Sequence, residues 1–177
     1  MADLDRMPDQ VRTLRTTHVL TEMLCTRGFT SVRDCGGATK FIADAIDEGL
    51  ILGPRLFQCG KALSQTGGHA DFSVGISGGN GDACCGGQNS VFGRTVDGVP
   101  ACLKAVREEL KQGANFIKIM AGGGCASETD GLDTVQLSSE EMRAITSAAW
   151  AMGKKTVGTH TRYLCDLTDS APPTPIR

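Results

Sequence analysis

With 177 residues, a formal net charge of -2, 40% hydrophobic and 21% charged residues, the chain has the make-up of one globular domain with a core of moderate size. No apolar run approaches the roughly 18 residues of a membrane helix, and MADLDRMPDQ carries acids where a signal peptide carries basic and then apolar residues, so a cytoplasmic location is expected if Met1 is the start. The absence of any Lys/Arg block argues against nucleic-acid partners.

A grammar of amphipathic segment, glycine and short strand recurs four times. Residues 9 to 27 place Val11, Leu14, Leu20, Met23 and Leu24 at helical spacing, Gly28 stops the helix, and FTSVRD follows as a strand. Thr39 to Glu48 sets Ile42, Ala45 and Ile46 on one face before Gly49, and GPRLFQCG reads as the next strand. Ser64 to Asp97 is then a long loop rich in Gly, Ser, Asn and Cys, of a length that in compact domains points to function. Pro100 opens a third helix with Leu103, Val106 and Leu110, closed by Gly113 before NFIKIM, and a second glycine loop spans Gly122 to Leu137. Ser138 and Glu141 form a capping box for a fourth helix with a stripe of Met142, Ile145 and Met152, ended by Gly153 before KKTVGTH. The tail 162–177, with three prolines and no periodicity, is expected to be disordered or aberrant.

Helices alternating with short strands predict an α/β fold with a parallel sheet, either open and doubly wound or an arc of a (β/α)8 barrel. A whole barrel takes about 250 residues, so four units over residues 1–161 would make a partial barrel domain. In either fold the site lies outside the carboxyl ends of the strands, which directs attention to Arg33 and Asp34, SQTGGHAD, Lys118 and His160. Strand alternation puts Lys118 on one face with Phe116 and Met120, where an unpaired ammonium is costly. Either its stem lies along apolar surface with the head reaching solvent, or something pairs or modifies it. His69 and His160 each carry a structural reading beside the functional one. None of the eight cysteines is spaced as C-x-x-C, and scattered thiols read as small buried hydrophobes, with Cys84 and Cys85 in the long loop the least explained.

GFTSVRDCGG, GPRLFQCGKALSQTGGHAD, GANFIKIMAGGGCAS and the histidine closing KKTVGTH, in this order, resemble the amidohydrolase superfamily in its imidazolonepropionase-like and Xaa-Pro-dipeptidase-like branch, from about Val11 to His160. The resemblance implies a metal-dependent hydrolase of amide or peptide C–N bonds in a small molecule, on a (β/α)8 barrel holding one or two divalent metals, commonly zinc. It matches Lys118 to a fourth-strand lysine that is carboxylated and bridges two metals in binuclear members, His160 to the fifth-strand metal ligand, and His69 to a substrate-facing loop position. Metal ions suit such chemistry because they polarise a carbonyl and generate hydroxide near neutral pH. Asp34 is read as orienting its neighbours.

The departures are equally specific. No H-x-H precedes the first strand, His18 standing alone in the first helix, and no later histidine and aspartate resembling the family's appear after His160. Lys118 and His160 fall short of the roughly three protein ligands of a catalytic zinc. The chain alone is therefore expected to bind metal weakly or not at all, to depend on further barrel segments or an oligomer, and, in the alternative reading, to be a catalytically inactive fragment. A third reading, an open-sheet phosphate binder, is opposed by the lack of G-x-x-x-x-G-K-[ST].

Overall fold

The structure, a computed structural model, describes residues 7–71, 90–124 and 130–159. Four helices and six strands follow in the order α1 (Asp9–Cys25), β1 (Ser31–Asp34), α2 (Lys40–Asp47), β2 (Arg55–Gln58), β3 (Ala62–Ser64), β4 (Gly93–Thr95), α3 (Val99–Lys111), β5 (Ile117–Met120), α4 (Ser139–Ala151) and β6 (Thr156–Thr159). The four glycines expected to stop helices all take positive φ, 72° at Gly28, 74° at Gly49, 92° at Gly113 and 67° at Gly153, a conformation open to them because they lack a Cβ.

Every strand pairing within the sheets is parallel. β1 lies beside β2, from Ser31 opposite Arg55 to Asp34 opposite Gln58. A four-stranded sheet runs β4-β3-β5-β6, with Leu63 opposite Ile119 and Lys118 opposite Val157. The stretch anticipated as one strand in GPRLFQCG thus ends at Gln58, and the chain resumes pairing at Ala62 in the other sheet. Gly60, at φ 67°, makes the break, and buried Gln58 stabilises it. Gln58 Oε1 accepts from Gly60 N at 2.7 Å, Gln58 Nε2 donates to Gly113 O at 2.9 Å, and Gln58 N donates to Asn115 Oδ1 at 3.0 Å. Asn115 N donates back to Gln58 O at 2.8 Å, joining the two sheets at the entry to β5.

The helices bury two clusters. Ile117 and Ile119 of β5 pack with Cys102, Ala105 and Val106 of α3 and Met142, Ile145 and Ala149 of α4. A smaller cluster joins Leu20 of α1, Ile42 of α2 and Leu56 of β2. Three expectations are corrected here. The long loop contains a strand, β4, because Gly93 comes so close to Ala70 that any side chain would collide, letting the segment lie along β3. The stripe of α4 ends at Ala149, with Met152 exposed at the C-cap. The stripe of α1 is used only toward its end, where Leu20 is buried, whereas Val11 and Leu14 are exposed.

The capping box on α4 forms as its residues imply: Ser138 Oγ accepts from Glu141 N at 3.3 Å and Glu141 Oε2 accepts from Ser138 N at 2.7 Å. Glu141 Oε1 also accepts from Gly98 N at 2.6 Å, the residue before α3. No helix among the described residues is long and apolar enough to cross a membrane. His160, Cys84, Cys85 and the tail 162–177 lie outside the described residues.

Candidate functional site

Lys118 sits at the middle of β5 on the face opposite Ile117 and Ile119, which face the helices. Phe116 shares its face, and the Arg33 guanidinium of β1 lies 5.7 Å from the centre of the Phe116 ring. Arg33 and Lys118 therefore occupy the same side of the parallel array, away from both helix-packed clusters. Lys118 is only 5% exposed, so its head does not reach solvent past the sheet rim. Its Nζ hydrogen-bonds to Thr159 Oγ1 of β6, and Thr159 Oγ1 in turn donates to Met120 Sδ at 3.5 Å.

No carboxylate pairs with Lys118 among the described residues. Burial pulls its ammonium below the ordinary lysine value, Cys35 and Cys59 oppose that shift, and the Arg33 charge adds to it. Cys59, wholly buried, is itself pushed up to about 12, chiefly by burial. Burial thus makes the Lys118 ammonium easier to deprotonate than an exposed one.

Asp34, at the carboxyl end of β1, accepts through Oδ1 from Gly36 N and Ala38 N, both at 3.0 Å. Burial raises its pKa and these two backbone donors oppose the rise, so the carboxylate is engaged in shaping the loop into α2.

His69 lies in the loop after β3 and meets the loop after β5. Its N donates to Gln136 Oε1 at 2.8 Å, and its Nδ1 lies 3.6 Å from Asp130 Oδ2. Gly124 approaches the imidazole so closely that a Cβ there would fall 2.1 Å from His69 Cε1. Asp130 Oδ2 accepts from Gly124 N at 3.0 Å and from Gln136 Nε2 at 2.9 Å. Asp130 and Gln136 were not singled out in the sequence, where they are ordinary polar residues of a glycine loop; their partners stand up to 67 positions away.

Among the described residues no three His, Cys, Asp or Glu side chains gather as a metal-binding group. His160, which follows β6 directly in the chain, is outside them.

A family model described as the Amidohydrolase family matches residues 3–168. Ochratoxinase of Aspergillus niger is 36% identical over 138 residues, 69% of this chain and 27% of that protein. A crystal structure of a prolidase complexed with N-methylphosphonate-L-proline is similar at 44% identity and a TM-score of 0.79, over 88% of this chain and 38% of that one. A Xaa-Pro dipeptidase with methionine bound in its active site is similar at 31% identity and a TM-score of 0.72, over 86% of this chain and 37% of that one. The chain spans well under half the length of each of these relatives.

Proposed function

The chain belongs to the amidohydrolase family, and from that premise we propose that it forms part of a metal-dependent hydrolase acting on an amide or peptide C–N bond of a small molecule. The observation that carries the proposal is Lys118, buried in a parallel sheet on the face that no helix among the described residues covers. The likeness to a prolidase and a Xaa-Pro dipeptidase makes a dipeptide with a C-terminal proline the first substrate to try, and the ochratoxinase likeness adds ochratoxin as the second.

The fold proposed is an arc of a (β/α)8 barrel. Supporting it, every strand pairing in the sheets is parallel and β3, β5 and β6 lie side by side in chain order, while β4 pairs along the other edge of β3. Arg33, Phe116 and Lys118 face one side while the helices pack on the other.

Within this reading Lys118 is carboxylated and, with His160, contributes to a divalent metal site, zinc being the metal proposed, completed by ligands from beyond the described residues. Once its ammonium has given a proton to water, Nζ adds to the carbon of carbon dioxide, an N–C bond forming as one C–O π bond opens, and loss of a second N–H proton to water leaves an anionic oxygen ligand in place of a poorly solvated cation. His69, on the loop after β3, faces the substrate.

In a complete protein carrying these residues, Lys118→Ala is expected to abolish both metal retention, read by elemental analysis, and hydrolysis of Xaa-Pro dipeptides. Retained turnover would sink the assignment. A second reading, in which these 177 residues alone are inactive, draws on the absence of a metal-binding group among the described residues; stoichiometric zinc with hydrolysis by the purified chain would overturn it.

A further inference from the structure

Two cysteines stand where the β1–β2 pair ends. Asp34 and Gln58 are the last residues opposite each other in that ladder, and one step on lie Cys35 and Cys59. Just beyond them Gly37 N donates to Gly60 O at 3.2 Å, so the two segments still run side by side where the thiols sit. Paired strands lie about 4.8 Å apart, inside the roughly 4.4–6.8 Å between Cα atoms that a disulfide spans. Each cysteine follows by two positions a residue of the face that carries Lys118, Arg33 on β1 and Phe57 on β2. The electrostatic influence of both thiols reaches Lys118, and that of Cys35 reaches Cys59. Their access differs: Cys35 is exposed, against the expectation of a small buried hydrophobe, whereas Cys59 is 0% exposed.

An accessible thiol next to a second one suits an attacking and a resolving cysteine. We infer that Cys35 and Cys59 are a reversible oxidation site, closing to a disulfide when the protein meets a hydroperoxide. The Cys35 sulfur, as thiolate, attacks one peroxide oxygen; the O–O bond breaks, and the departing hydroxide takes up the proton that Cys35 shed. The sulfenic acid so formed is attacked at sulfur by Cys59, an S–S bond replaces the S–O bond, and the leaving hydroxide carries off the Cys59 proton as water. The two sulfurs together lose two electrons, and hydrogen peroxide gains them to become two waters. Burial, which pushes the Cys59 thiol up to about 12, holds it back from peroxide and reserves it for the neighbouring sulfur. The link staples the carboxyl end of β1, packed on the smaller cluster, to β2. None of this depends on the hydrolase reading.

Trypsin places each thiol on its own peptide, Asp34–Lys40 and Leu56–Lys61, so the link can be identified directly. The folded, reduced full chain is exposed briefly to hydrogen peroxide, its remaining thiols are alkylated, and the digest is mapped by mass spectrometry. The two peptides should appear joined and should separate on treatment with a dithiol. The link should form slower by about tenfold or more in urea, which removes the proximity that the paired strands impose. In Cys35→Ser, Cys59 should be recovered as an alkylated thiol. Cys35 left unoxidised, Cys35 driven to sulfinic acid beside a reduced Cys59, Cys35 joined mainly to another cysteine, or a link formed equally fast in urea would each overturn the inference. Should the serine variant not fold, the wild-type peptide map decides alone.

Discussion

Replacing Lys118 by methionine is expected to act in opposite directions on stability and on turnover. The substitution keeps most of the apolar stem and removes an ammonium that is 5% exposed and has no carboxylate partner among the described residues, so it should stabilise the chain by about 1–2 kcal/mol at neutral pH. Because burial lowers the folded-state pKa beneath the ordinary 10.5, the native lysine loses its proton before the unfolded one does. Wild-type stability therefore rises as pH climbs through the folded value toward 10.5, and its deficit relative to the methionine variant should narrow. Urea unfolding at neutral and alkaline pH reads both effects, and a destabilised variant would mean that the Thr159 contact outweighs desolvation. Lys118 itself was legible from NFIKIM, because a cation at an inward position of an apolar strand breaks the binary pattern. Asp130 and Gln136 were not, because their significance lies in contacts with His69 across more than 60 positions of chain.

The break between β2 and β3 hinges on Gly60. A Cβ there would fall 2.3 Å from Glu109 Oε2, and the residue sits at φ 67°. Glu109 cannot easily yield: it is 2% exposed, its Oε2 accepts from Lys61 N at 3.1 Å, and Arg94 stands 3.7 Å from its other oxygen. Gly60→Ala should thus destabilise the protein by about 2 kcal/mol or more, seen as a lower denaturant midpoint with an unchanged slope. A midpoint within error of wild type would show that the strand runs through unbroken. Helix limits were legible because glycine stops and the Ser138–Glu141 box are local chemistry, read within a turn of the element they end or begin. The strand break and β4 were not, since one is stabilised by Gln58 reaching Asn115 and the other by Gly93 lying against Ala70, pairings no local window contains. Similarly, Val11 and Leu14 obey the helical period of α1 yet remain exposed, because periodicity names a face without naming what covers it.

At the scale of the molecule, twelve buried residues among those described form the cluster behind β3, β5 and β6, against four in the cluster beneath β1 and β2. Local stability follows buried apolar contact, so amides of Arg55–Gln58 and Ser31–Asp34 should exchange with solvent through smaller openings than those of Ile117–Met120. Native-state hydrogen exchange giving one common opening energy for both sets would instead mean that the Gln58–Asn115 junction welds the sheets into a single cooperative unit. Glu141 links the starts of α3 and α4 in the larger cluster. Its hydrogen bonds from Ser138 and Gly98 hold its pKa below the ordinary carboxylate value, and that stabilisation is present above about pH 4.5 and drains away as pH falls through the folded value. One protonation thereby loosens the beginnings of two helices together, so that mild acid acts as a solvent-borne release on their shared end.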